Sequence, residues 1–379
     1  MSTSNKNNRQ KRPRIRRNPN LVTKEINNDP LPNLPIDLVA QIFCRLPVKL
    51  LVQLRCMCKS WNSLISDRSF TRKHLSLSTT RRLHYAKYIN KPCELIHNSY
   101  PLDSVLTNMS TKFKEPLVTL NSVYGCCDGI LCIAVKRKGF VVLWNPFIRK
   151  FKESPPFETS CEIVNKVYDT YGFGYDRVSG NYKVVVLYYS EPNLPTVTTV
   201  KIHTMGTDFW KTIPNFPNGT HVFDEQTGTH LRGTLNWIAY TEIRQQGPLF
   251  IASFDLGRES YRKLLPPDHE EISQLYLSLA VLRDCLCLIS GHHIWIMKEY
   301  GIQDSWTKLF SVSYMQHPTK CYVLNKALYI FEDDRLLLET QEDWKTKLVV
   351  YDPKNDTFKV TRFKNYLNVC LDTLISPCS

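Results

Sequence analysis

The sequence predicts an α+β multidomain chain in which a small all-α module precedes an all-β, propeller-like domain of about six blades. Three observations predict it. Apolar residues between positions 34 and 65 recur at helical spacing. From about residue 80 onward that periodicity gives way to short β-rich runs separated by turn-formers. Those runs repeat with a period of roughly 45–55 residues, the length of a four-stranded blade.

Size and composition bound the reading. At 379 residues the chain is too long for one ordinary compact domain unless that domain is a large β architecture. A hydrophobic fraction of 42% and a charged fraction of 22% suit a folded soluble protein. No run reaches about 18 apolar residues, so no transmembrane helix and no membrane partner are expected. The polar, basic N-terminus lacks a signal-type apolar segment, so secretion is not expected. The 13 cysteines sit in apolar stretches such as Leu131-Cys132-Ile133 and Cys285-Leu286-Cys287. That pattern suits buried free thiols in a reducing compartment, nucleus or cytoplasm, rather than a disulfide framework.

The first element in order is the tail, residues 1–30. It holds Lys6, Arg9, Lys11, Arg12, Arg14, Arg16, Arg17 and Lys24 against Glu25 and Asp29, roughly +6 of the chain's formal +14. Poor in apolar residues, it is expected to be disordered. Lys11, Arg12, Arg14, Arg16 and Arg17 are candidates for a nuclear import signal; a nucleic-acid patch and a merely solubilising tail are the other readings.

Next comes the helical segment, residues 31–75. Leu38, Val39, Ile42, Phe43 and Leu46 share a helical face. Pro35 suits the helix start, and Asp37 and Arg45 are placed to complement its dipole. Pro47 ends this helix and opens a second carrying Val48, Leu51, Val52 and Arg55-Cys56, and a third short turn carries Trp61, Leu64 and Ile65. Three such short helices make only a small core, which predicts a partner over the remaining apolar face.

The string Leu34-Pro35-x-Asp37-Leu38-Val39-x-x-Ile42-Phe43-x-x-Leu46-Pro47-Val48-Lys49-x-Leu51-Val52-x-Leu54-Arg55-x-x-Cys58-Lys59-Ser60-Trp61 closely resembles the F-box, in the form common in large plant families. In that family the segment docks on a Skp-type adaptor, which links it to a cullin scaffold and a RING protein. By position, the resemblance assigns Leu34, Pro35, Ile42, Leu46, Pro47, Leu51, Val52, Leu54, Arg55 and Trp61 to the adaptor-binding surface or its support. Trp61 would also pack the end of the module with Cys58 and Leu64.

The last element, residues 80–379, carries β-rich runs such as 139–144, 182–188, 249–254, 293–297 and 347–351. Each repeat reads as an apolar strand, an Asn/Asp turn, then an aromatic residue followed by a basic one, as in Trp144-Asn145-Pro146 to Phe151-Lys152, or Trp210-Lys211. A second motif, a turn residue followed by Leu-x-Trp/Cys/Tyr, recurs at Gly129–Cys132, Gly233–Trp237, Asp284–Cys287 and Asn325–Tyr329. Kelch-type blades have this period, and 369–374 is the expected closing strand. Gly125-Cys126-Cys127-Asp128-Gly129-Ile130-Leu131-Cys132, Leu143-Trp144-Asn145-Pro146, and Gly172-Phe173-Gly174-Tyr175-Asp176 followed by Tyr182-Lys183-Val184-Val185 are similar to the F-box-associated interaction domain of plant proteins. Recognition loops on a rigid scaffold are expected at 191–199, 215–229, 242–248 and 332–344.

Enzymatic and metal motifs are missing from the sequence. There is no Gly-x-Ser-x-Gly elbow, no phosphate loop and no His-Glu-x-x-His. Cys56-x-Cys58 lacks a second zinc-binding pair, and His292-His293 lacks a third ligand. Hence no catalytic residue, metal or cofactor is expected. The resemblance implies a non-catalytic substrate-recognition subunit of a Skp–cullin–F-box ubiquitin ligase, recruiting a target protein for ubiquitination and proteasomal degradation. The rival readings are a basic-tailed nuclear propeller that binds nucleic acid or chromatin, and a propeller enzyme with convergent polar groups in its central channel.

Overall fold

The computed structural model describes residues 34–378 apart from 91–92, 103–104, 106–110, 114–121, 136–138, 157–168, 192–193, 214–219, 223–226, 242–246, 273–275, 313–321, 343–344, 362 and 364–367. The basic residues Lys11, Arg12, Arg14, Arg16 and Arg17 lie outside the described residues.

Four helices come first: α1 (Ile36–Phe43), α2 (Val48–Leu54), α3 (Lys59–Ser66) and α4 (Arg68–Leu77). Pro35 and Pro47 occupy the N-cap positions of α1 and α2 with extended backbone. Proline forgoes no hydrogen bond at a helix start, because the first amides have no partner there anyway. α1 stops at Phe43, so Arg45, expected in its last turn, lies beyond it. The Asp67 carboxylate accepts from the Phe70 amide at 3.0 Å and starts α4, a helix the apolar periodicity does not reveal. That hydrogen bond holds the Asp67 carboxyl below its usual pKa.

Six four-stranded blades follow. In chain order, blade 2 holds strands Ser122–Cys127, Ile130–Val135, Phe140–Asn145 and Lys150–Glu153. Blade 3 runs from Asp169–Asp176 to Lys211–Ile213, and blade 4 from Thr229–Leu231 to Ser260–Leu264. A short strand, His221–Val222, pairs with both and joins them into one nine-stranded sheet. Blade 5 runs from Ser278–Leu282 to Trp306–Ser311, and blade 6 from Tyr322–Ile330 to Thr357–Val360. Blade 1 is built from both ends of the domain. Arg81–Asn90, Cys93–Pro101 and Thr111–Phe113 are completed by Asn368–Leu371, which pairs antiparallel with Arg81 to His84. The expected closing strand is therefore present, and the ring has no open edge at its join.

The core is a ring of seams between blades. Consecutive residues of a strand point to opposite faces, so a strand buried on both sides feeds two seams. In the wholly buried strand Thr234–Tyr240, Leu235, Trp237 and Ala239 pack toward blade 3, while Ile238 and Tyr240 pack toward blade 5. Separate clusters fill the seams between blades 2 and 3, 5 and 6, and 6 and 1. Between blades 1 and 2, Leu131, Ile133 and Trp144 meet Cys370 of the closing strand. Seam-to-seam ties repeat as well: Trp210 Nε1 donates to the Pro155 carbonyl at 2.8 Å, and Trp306 Nε1 to the Leu265 carbonyl at 3.0 Å. Each bond reaches the end of the preceding blade's outer strand, which explains an aromatic residue at that place in the repeat.

Three expectations need correction. Cys126 and Cys370 are disulfide-bonded with Cα atoms 6.2 Å apart across 244 residues of sequence, so the cysteines are not all free. The fourth copy of the Leu-x-Trp/Cys/Tyr motif, Asn325–Tyr329, lies on the innermost strand of blade 6. The strand equivalent to the other copies is Leu336–Glu342. Consequently 332–344 is chiefly a turn and a strand, not a loop, and 191–199 is largely the hairpin of Asn181–Glu191 with Leu194–Thr204.

Candidate functional site

The helical module divides its apolar residues between two faces. Phe43, Cys44, Val48, Leu51, Ile65 and Phe70 are buried, with Val39, Leu46, Val52, Leu54, Trp61 and Leu64 packed around them. Phe43 and Trp61 meet edge to face, ring centroids 5.2 Å apart. This core is not closed by the helices alone: Phe147 and Ile148 from blade 2 and Leu374 from the segment after the closing strand complete it. The second face stays open. Leu34 is 58% exposed, Ile36 50%, Leu38 45% and Ile42 51%, and Leu50 and Met57 are exposed too. Leu38 and Ile42, four residues apart on α1, share one side of it.

The residues assigned by resemblance thus fall into two groups. Leu34, Pro35, Ile42 and Pro47 are exposed. Leu46, Val52, Leu54, Arg55 and Trp61 are half-buried, and Leu51 is fully buried in the module core. An Arg55 guanidinium nitrogen lies 3.5 Å from the Ile65 carbonyl oxygen. Cys58 is exposed; its sulfur accepts from the Trp61 amide and starts α3, rather than packing the end of the module. Ile36, Leu38, Leu50 and Met57 join the open face without having been assigned to it.

The module sits on the end of the ring that carries the tight turns between first and second strands. Arg68 donates to the Gly180 carbonyl in blade 3. Arg72 pairs with Asp128 at 2.8 Å and stacks over Tyr175, 3.8 Å from the ring centroid. Tyr182 donates to the same Asp128 oxygen at 2.8 Å, and His74 Nε2 lies 2.9 Å from the Leu46 carbonyl oxygen. Below this contact runs the segment 372–375. The fully buried Asn145 donates from Nδ2 to the carbonyls of Thr373 and Ile375 at 3.0 and 2.8 Å. Gly129, at φ +75°, passes so close that a Cβ would collide with the Leu371 carbonyl oxygen and the Thr373 side chain. Both the left-handed backbone and the close approach require glycine here.

At the ring's opposite end, the tight turn Gly291-His292 joins the second and third strands of blade 5. There His293 Nε2 lies 3.6 Å from Glu271, with the His292 and His293 rings 3.8 Å apart. Among the described residues no three His, Cys, Asp or Glu side chains are grouped to hold a metal ion. Inside the ring, a cavity of about 150 Å³ is lined by one innermost strand from each blade.

Comparison with known proteins agrees with both halves. The F-box domain pattern matches residues 31–73, and that of the F-box associated beta propeller domain matches residues 80–375. The F-box/kelch-repeat protein At3g23880 of Arabidopsis thaliana is 30% identical over 375 residues, covering 91% of this chain and 96% of its own. F-box protein CPR1 of Arabidopsis thaliana is 26% identical over 361 residues, covering 88% and 85%. With four N-terminal helices under the first pattern and a closed six-bladed ring under the second, the chain belongs to the F-box proteins with an F-box associated β-propeller domain.

Proposed function

We propose that this protein is the substrate-recognition subunit of a Skp–cullin–F-box ubiquitin ligase, non-catalytic in itself, which recruits a target protein for ubiquitination and proteasomal degradation. One observation carries the reading: the helical module buries one apolar face on the propeller and presents the other, Leu34, Ile36, Leu38 and Ile42, to solvent. An apolar face of this kind beside a completed core marks a protein partner. A Skp-type adaptor is the partner that the F-box family supplies. The mechanism is proximity: the module fixes the chain to the cullin–RING scaffold, and the propeller raises the target's local concentration beside the charged conjugating enzyme.

The test is co-purification of the full chain with a Skp-type adaptor. Wild type retains it; Ile42→Asp, and the pair Leu46→Ala with Pro47→Ala, lose at least nine-tenths of it, while the melting transition of the propeller is kept. Absence of the adaptor from the wild-type preparation rejects the reading. Nuclear and cytoplasmic residence belongs to the same proposal, supported by the basic run Lys11-Arg12-Pro13-Arg14-Ile15-Arg16-Arg17. A fluorescent fusion lacking residues 1–20 is expected to leave the nucleus.

A further inference from the structure

The cavity inside the ring has a largely polar wall. Its wall takes Cys126 from blade 2, Phe173 from blade 3, Thr229 from blade 4, Ala280 from blade 5, Lys326 from blade 6 and Asn368 from the closing strand. Among the described residues, Lys326 is the one Lys or Arg in that wall. The neighbouring His230 is a neutral ring: burial lowers its pKa, and its Nε2 accepts from the Tyr175 and Gly233 amides at 3.3 Å each.

Lys326 is held in an unusual place. It stands between two register shifts of its strand, at Leu324/Lys326 and at Ala327/Tyr329. Such bulges turn a side chain away from the regular alternation and are found beside binding sites. Its cross-strand neighbour is Glu339, yet the Glu339 carboxyl accepts from Asn325 at 3.2 Å, and Lys326 has no hydrogen-bond acceptor among the described residues. Lys326 is half-buried on the cavity wall, so its three donors are open to a ligand that supplies oxygens there. Burial pushes the Lys326 amine below its ordinary pKa, opposed by Glu339, and a second anion beside it would favour the charged form further.

We infer that the cavity is a binding site for a single carboxylate group, held by Lys326 with Thr229 and Asn368 beside it. Size limits the guest. About 150 Å³ is the share of roughly five water molecules, far below the roughly 300–1,000 Å³ of a cofactor or nucleotide pocket. A carboxylate with a short stem fits, whether it is carried by a recruited protein's C-terminus or acidic side chain, or by a small organic acid. The inference deepens the receptor reading and rests on it for the protein-borne sources.

The full chain, co-purified with a Skp-type adaptor, is challenged with three probes: a pool of random heptapeptides with free C-termini, the same pool amidated, and succinate. Retention of the free-acid pool over the amidated one assigns a C-terminal carboxylate. Equal retention of both pools assigns a side-chain carboxylate, and retention of succinate alone a small acid. In each case Lys326→Met lowers retention about tenfold or more, as expected for loss of one charge-assisted hydrogen bond. Lys326→Arg stays within about threefold. Retention of no probe by wild type, or undiminished retention by Lys326→Met, overturns the inference. If Lys326→Met fails to fold, protection of wild-type Lys326 from reductive methylation by the retained probe decides; equal methylation overturns it. Adaptor recovery from the same samples reports on the receptor reading separately.

Discussion

Asn145 is read in the sequence as part of a turn, and it is one: its Oδ1 accepts from the Phe147 amide at 2.9 Å. Its larger contribution is the clasp on segment 372–375 through two donated bonds. Asn145→Ala leaves two buried carbonyls without partners, at about 1–3 kcal/mol each. Chemical denaturation is expected to show a loss of about 2–6 kcal/mol with an unchanged slope. A slope that falls instead would mean the native state had already loosened. Lys183 does comparable service between blades 3 and 4. It is buried, donates to the Leu256 carbonyl at 2.7 Å and pairs with Asp176 at 3.0 Å and Glu259 at 3.1 Å. Neither role is legible from sequence, because Leu256, Glu259, Thr373 and Ile375 all lie more than seventy residues from the side chain they meet.

Among the elements, the closing strand carries a pH dependence of its own. Asp372 follows it directly, and its amide donates to the Thr80 carbonyl at 3.0 Å. Burial raises the Asp372 carboxyl to about 7, and Arg82, 3.9 Å away, offsets this only in part. An acid whose folded pKa exceeds its unfolded value favours folding below the unfolded value, near 4, and loses that contribution as pH rises toward the folded one. Melting temperature should therefore fall between about pH 4 and about 7 in wild type, and Asp372→Asn should match wild type near pH 4 and exceed it at pH 8. Parallel profiles for the two proteins would refute the assignment. At this scale the sequence is a good guide wherever a strand feeds two seams, since continuous apolar runs and tight turns such as Asp128-Gly129 are local signals. It fails at α4, where only Phe70, Thr71 and His74 are buried and the start signal is one capping aspartate. In blade 6 it fails because the bulged innermost strand imitates the next strand's motif. The Cys126–Cys370 pair is hidden for another reason: it joins the first complete blade to the closing strand, a proximity created by the ring itself.

For the whole molecule, the open apolar face of the helices was legible as a family string, whereas the contents of the cavity were not, because its wall draws residues from six blades at positions without a common spacing. Segment 368–375 unites the two halves: its first part completes blade 1, and Leu374 enters the core of the helical module. A chain stopped at residue 367 is expected to lose protease resistance in both the propeller and the helices, while deletion of residues 1–30 leaves both resistant. Limited trypsin digestion followed by mass spectrometry distinguishes the outcomes. The same segment sets a clock on biosynthesis. Roughly 290 residues separate α4 from the closing strand, so at about 5–20 residues per second the helices wait on the order of 15–60 s on the ribosome before Leu374 arrives to finish their interior. The helices, translated before the propeller, are thus matured after it, and a nascent chain cut short by a premature stop meets its adaptor, in the proposed receptor, with an unfinished head.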